Sequence, residues 1–267
     1  MKQAMAIKRI FLGILFIEVL TSLVVCSYFV VTAILPEYNT ETSFVINLIT
    51  ACLSIIIVTS AVLYYIYRML VVKIEKKIYK ILFIDMEPPL ALEYVQRDLS
   101  QLSNIVEGQT ENTVLQCALV HIFMANFEHS EVIMEHLHIH FFDRIKKSER
   151  NILLYHKVEL LNCIYDDDRE TFFEKYVEYH KYVDLHSDLD KTFPNEKLND
   201  LIELFFVLFN LNSRLEIMDY IVKYEFKHDF EKYCTIAYLI HHEYKIPQYL
   251  LDQYDARLNS LFFNLER

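Results

Sequence analysis

The chain has 267 residues, 54% of them hydrophobic, with a formal net charge of −11, two glycines and no tryptophan. With only Gly13 and Gly108 available, a phosphate-cradling loop of the G-x-x-x-x-G-K-[ST] or G-x-G-x-x-G type is excluded. Tight β-hairpins that depend on glycine turns are disfavoured as well, so the expectation is an all-α chain.

Residues 10–35 carry one formal charge, Glu18, in a run of Leu, Ile, Val and Phe. Residues 44–72 also carry one, Arg68. A helix needs roughly 20 apolar residues to cross a bilayer core, and both runs exceed that. Between them, Pro36–Ser43 holds two acids and no Lys or Arg. Lys2, Lys8 and Arg9 precede the first run, while Lys73, Lys76, Lys77 and Lys80 follow the second. Lys and Arg concentrate on the cytoplasmic side of membrane proteins. The sequence therefore predicts a two-helix transmembrane hairpin in a cell (inner) membrane, over residues 1–72, with both termini cytoplasmic. A cleaved signal peptide is the competing reading of the first run. Its apolar region would be too long, and no A-x-A-like cleavage site follows it.

Glu18 lies about nine residues past Arg9, or ~13 Å deep, and Arg68 about five residues before Lys73, or ~7 Å deep. Side chains tilt toward their helix N-terminus, so in this topology the two lean toward each other. Intramembrane charge is a functional hypothesis by default. The pair is expected to lock the hairpin or to dock a partner's span. The alternative is a protonated Glu18 facing lipid and an Arg68 that snorkels.

Residues 73–86 continue the helix, with Lys73, Lys76, Lys77 and Lys80 spaced by three and four on one face, suited to a lipid surface. A plain positive-inside flank explains them equally. Pro88-Pro89 is expected to break the helix and to form, with residues 73–87, the linker to a domain over residues 90–267.

Charge divides along the same line. Residues 1–84 have 8 basic and 4 acidic side chains (+4), and residues 85–267 have 18 and 33 (−15). An acidic body of this kind repels nucleic-acid phosphates, which excludes nucleic acid as a partner. The predicted helices run over 90–106, 110–127, 130–145, 148–165, 168–186, 196–210, 213–228, 229–244 and 247–265. Gly108 is the expected C-terminal cap of the first. Thr110 or Asn112, Ser130, Ser148, Asp168 and Ser213 are the expected openings, and Pro247 takes a first helical position. Residues 187–195, with Pro194, form the longest loop.

Four passages look alike when aligned on a turn: 118–127 leading into Ser130, 158–165 into Arg169, 203–209 into Arg214, and 236–244 into Pro247. In each an apolar helix ends on an aromatic residue, and the landmarks Phe127, Tyr165, Phe209 and Tyr244 stand 38, 44 and 35 residues apart. The passage at 118–137 resembles a tetratricopeptide repeat: Phe127 stands at the turn aromatic, with E-V-I-M-E-H-L as the second helix. The small residues of that repeat, its glycine included, are missing, and no proline recurs at unit ends. The resemblance extends over residues 110–265 and implies a curved helical array that holds a peptide or protein segment. A non-repetitive helical bundle is the alternative.

Catalytic and cofactor signals are sparse. Cys26, Cys52, Cys117, Cys163 and Cys234 form no C-x-x-C pair and read as small hydrophobes in a reducing compartment. His136 and His140 share a helix face with Asp143, while His138 points elsewhere; no zinc-hydrolase H-E-x-x-H is present, and neither a metal nor a cofactor is assigned. Asp166-Asp167-Asp168 lacks the glycine of a calcium loop and reads as a helix start. The expectation is a membrane-anchored helical adaptor that binds a protein or peptide, with lipid as its other partner and no catalytic residues. A regulatory or immunity-type subunit that meets a transporter or pore through the hairpin is the alternative, and a membrane-bound enzyme is a third class.

Overall fold

The computed structural model describes residues 42–100, 109–124, 126–185 and 195–252. These are helical, with no strand among them. The chain divides into two compact units, Met1–Glu75 and Lys76–Arg267. The first predicted span and Glu18 lie outside the described residues, as does Gly108.

Helix α1 runs over Thr42–Lys80, 39 residues. Among the described residues one helix, Ile56–Asp85, is long and apolar enough to cross a membrane. In the first unit its surface is apolar and exposed: Ile57 is 67% exposed, and Leu53, Val58, Val62, Tyr65 and Met69 are likewise open. Leu63, Tyr67, Val71 and Glu75 recur every four residues as a single buried stripe.

Beyond Glu75, Lys77 and Lys80 sit in the last α-turn, where cations favour the helix dipole. The helix then widens into a π-turn over Ile81–Asp85 and stops at Met86, whose φ of 53° is left-handed. Pro88 and Pro89 take the first two positions of α2 (Pro88–Tyr94), where a missing N–H costs nothing. The break in direction belongs to Met86 and Glu87, and Ile78, Ile81, Leu82 and Phe83 ahead of it are fully buried in the second unit's core.

The remaining helices are α3 (Gln109–Phe123), α4 (Phe127–Ile145), α5 (Glu149–Asp166), α6 (Arg169–Leu185), α7 (Asn195–Phe209), α8 (Arg214–Lys223), α9 (Asp229–His241) and the single turn α10 (Gln248–Leu251). In the core α3 packs on α5, α5 on α7, and α7 on α9; α4 packs on both α3 and α5, and α6 on α5. Helix α5 is the hub, in contact with α3, α4, α6 and α7. Almost every side chain from Asn151 to Tyr165 is buried, Lys157 and His156 included. Each large aliphatic chain buried in this way contributes roughly 1.5–3 kcal/mol. Between α6 and α7 an aromatic seam takes over: Phe172 meets Phe209, Tyr176 stacks on Phe206 at 4.3 Å, and Tyr179 donates to Asn199 at 2.7 Å.

Three predicted openings are true caps. Ser148, Asp168 and Ser213 accept the backbone N–H of Asn151, Thr171 and Glu216. Two are not: α3 already starts at Gln109, and Ser130 is buried one turn inside α4. Phe127 opens α4 instead of closing α3, because its ring stacks on Tyr165 of α5 at 5.0 Å. Pro247 is the residue before α10, with ψ 141°, and not its first helical residue. Helix ends differ most. Asp167 and Glu243 take left-handed φ values of 53° and 56° and let the next N–H reach back five residues, Asp168 to Cys163 and Tyr244 to Leu239. These are glycine-type terminations made without glycine.

Candidate functional site

Helix α8 stops at Lys223, five residues short of its predicted end, and the cause is a buried carboxylate. Glu231, in the first turn of α9, is fully buried and accepts the Tyr224 hydroxyl at 2.7 Å and the Lys227 backbone N–H at 2.7 Å. Those two bonds hold residues 224–228 out of helix, since a buried anion left without donors is costly. Burial first, then the Glu231 carboxylate, pushes the Tyr224 phenol well up from its ordinary value.

The connector so held forms one wall of a cleft of about 630 Å³. Its floor is Phe83, from the π-turn after α1, set edge-on against Phe230 at 4.7 Å, with Phe123 behind both at 5.7 and 5.2 Å. Ile221, Val222, Tyr224 and Phe226 form one side, and Tyr249 and Leu250 of α10 the other. Ile84 and Met86 beside Phe83, with Lys197, Lys227, His228, Asp229 and Lys232, complete the lining. Asp200 organises part of this group: it pairs with Lys227 and lies 3.1 Å from His228 Nε2. Its hydrogen bond holds the Lys227 ammonium above its ordinary pKa. Lys197 donates to the Phe83 carbonyl at a long 3.4 Å. Lys232 makes no ion pair among the described residues.

A shallower groove of about 520 Å³ lies on the far side of Tyr224, lined by Leu211, Glu216, Asp219, Tyr220, Lys223 and Glu225. The same tyrosine therefore separates a basic surface from an acidic one. The cleft itself offers ammonium groups, phenols and apolar walls. A concave, largely apolar surface with a few placed polar groups is suited to holding a ligand.

The residues singled out from sequence lie elsewhere. Arg68 is exposed on α1. Lys73, Lys76, Lys77 and Lys80 are exposed too, and Lys77 donates to the Tyr94 hydroxyl at 2.6 Å while lying over its ring at 4.3 Å. That bond holds the Tyr94 phenol below its ordinary pKa. On α4 the His136 and His140 rings are 4.7 Å apart, but no three His, Cys, Asp or Glu side chains converge on a metal position among the described residues. Cys163 and Cys234 are free and buried, and burial pushes the Cys163 thiol to about 12, far from a nucleophile's range. The Asp triplet is divided among three tasks: Asp167 accepts from Tyr238 at 2.7 Å, Asp168 caps α6, and Asp166 faces Glu131.

Sequence reasoning missed Glu231, Asp200 and the cleft lysines. An acid in a first helical turn looks like an ordinary dipole partner, and nothing local marks one that is buried. No family model, curated protein or solved structure matches the chain.

Proposed function

We propose that the chain is a membrane-anchored helical adaptor that binds a protein or peptide segment in the cleft between Phe83, Tyr224 and Tyr249. Residues 10–35 and 44–72 span the membrane as a hairpin with both termini cytoplasmic. Lys73, Lys76, Lys77 and Lys80 stand at the headgroups, and residues 90–267 form a repeat-like array on the cytoplasmic side. What supports the anchor is the exposed apolar surface of α1 and the length of the Ile56–Asp85 helix. The observation that carries the adaptor is the cleft itself: lysines and open aromatic faces gathered in a body whose net charge is −15. Recognition sites join ring faces to a few placed polar groups in this manner.

The test is site-specific photocrosslinking in native membranes. A photoreactive phenylalanine at Tyr249 is expected to trap one discrete partner, and the same probe at Val132, exposed on α4, none. Adducts from Ile57 on α1 with none from Tyr249 would overturn the adaptor. They would favour the second reading, an accessory or immunity-type subunit docked through the hairpin. The observation on that side is Arg68, a guanidinium exposed on an apolar helix surface. Loss of those adducts in Glu18→Leu would then assign the contact to the Glu18–Arg68 pair.

A further inference from the structure

We infer that the segment taken up by the cleft is acidic, with an apolar anchor side chain: carboxylates meet Lys197 and Lys232 while the anchor lies against Ile84, Val222 and Tyr249. This rests on the adaptor reading of the same site and adds the chemistry of the partner.

Charge decides the sign. The second unit's acids outnumber its bases heavily, yet three lysines face this one cleft against a single lining acid, Asp229. They are not equivalent. Lys227 is already paired with Asp200. Among the described residues Lys197 has only a long contact to a backbone carbonyl, and Lys232 has no ion pair. Two ammonium groups therefore face the cleft with hydrogen-bonding capacity in hand. Helix α9 adds to them, because His228 at its start supplies no side-chain acceptor for the first-turn N–H groups. A cationic segment would meet these groups unfavourably. A purely apolar one would bury them against nothing, at the cost of their hydration.

Apolar side chains open to the cleft supply the rest of the specificity. Ile84, Val222 and Tyr249 are exposed in its lining, while Phe83 and Phe230 are buried beneath, edge-to-face and backed by Phe123. A wall packed on a core cluster has little left to order on association, which keeps that cost low. Across Tyr224, Glu216, Asp219 and Glu225 repel the same segment, which leaves one face of the connector available to it.

The arrangement also sets an unusual salt response. At long range an acidic segment is repelled by a −15 body, whereas at contact it meets lysines. The Debye length is about 8 Å at physiological ionic strength, so added salt removes the long-range repulsion before it removes the contacts. The association rate is expected to rise with salt, opposite to ordinary electrostatic steering.

The experiment uses the full chain in detergent micelles and a fluorescein-labelled octapeptide of six Asp and Glu residues around one Phe and one Leu, read by anisotropy. The expected result is saturable binding, at least tenfold tighter than that of the counterpart with Lys in place of each acid. Lys197→Glu and Lys232→Glu should each weaken it about tenfold, and Lys197→Arg should retain it. Lys181→Glu, an exposed change on α6, should leave it unaltered. Circular dichroism checks each fold, with Lys232→Gln standing in if the reversal disrupts α9. Equal binding of both peptides, or indifference to the lysine changes, would overturn the inference. So would displacement of the probe by phosphatidylglycerol but not phosphatidylcholine, which would make the occupant a lipid headgroup. If the peptide fails while crosslinking from Tyr249 persists, the acidic chemistry falls and the adaptor stands; if both fail, both fall.

Discussion

Helices α1 and α5 are both poorly amphipathic, for opposite reasons. Between Leu53 and Met69, α1 turns Ile57, Val58, Val62 and Tyr65 outward, whereas α5 buries Asn151, His156, Lys157 and Asn162 along with its aliphatic chains. A helix without a polar face is surrounded by something other than water; for α5 that is protein on nearly all sides, while the helix that continues α1 to Asp85 is long and apolar enough to cross a membrane. Periodicity alone cannot tell these cases apart. Composition can, because α1 has long uncharged stretches and α5 mixes Glu, Arg, Lys and His into its sequence.

The largest test of that contrast is a pair of substitutions read by thermal melting in detergent. Leu160→Ala, at a fully buried position of α5, should cost about 2–5 kcal/mol and lower the melting temperature by roughly 10 °C. Ile57→Asp should leave the helical melt of the second unit in place and instead shift the chain out of the membrane fraction, at about 3 kcal/mol for a charge in the span. Equal loss of melting temperature in both would abolish the distinction.

Next in size is Glu231→Ala. It strips the Tyr224 hydroxyl and the Lys227 N–H of their acceptor and should cost about 2–3 kcal/mol, with loss of the cleft wall visible as faster amide exchange over residues 224–228. A smaller effect belongs to Asp166. Burial, then the Glu131 carboxylate, lifts its pKa from 3.8 to about 6. Because the folded value is raised, the stability this proton brings is complete below pH 3.8 and lost as pH climbs through 6. Asp166→Asn should flatten that part of the stability–pH profile and raise melting at pH 7 by ~1–2 °C, small because the group is partly solvated. Smallest is Glu243→Gly. Relief of a left-handed non-glycine residue should add about 0.5–1 kcal/mol, seen as a slightly higher denaturation midpoint.

Much of the fold was legible because helix starts announce themselves. Ser148, Asp168 and Ser213 cap where an oxygen-bearing side chain precedes an apolar run. Ends were less legible, since Met86, Asp167 and Glu243 do what glycine ordinarily does and carry no such signature. The helix after Ser213 ends short of the span its periodicity predicts because Glu231, whose carboxylate holds the connector, acts from beyond its C-terminus. The cleft was not legible at all. Its lysines are single residues at 197, 227 and 232, and only the packing of α7, α9 and the π-turn over Ile81–Asp85 gathers them near Phe83. Lys157 shows the converse, an ordinary surface residue by sequence that the hub helix encloses completely.

The cleft's walls run in sequence from Phe83 to Leu250. A ribosome adding about 5–20 residues per second needs roughly ten to thirty seconds to travel between them. Throughout that interval α1 has been made, while the cleft has only some of its walls. Translation products cut short before Tyr249 therefore lack one side of the cleft, which closes only once α10 has been made.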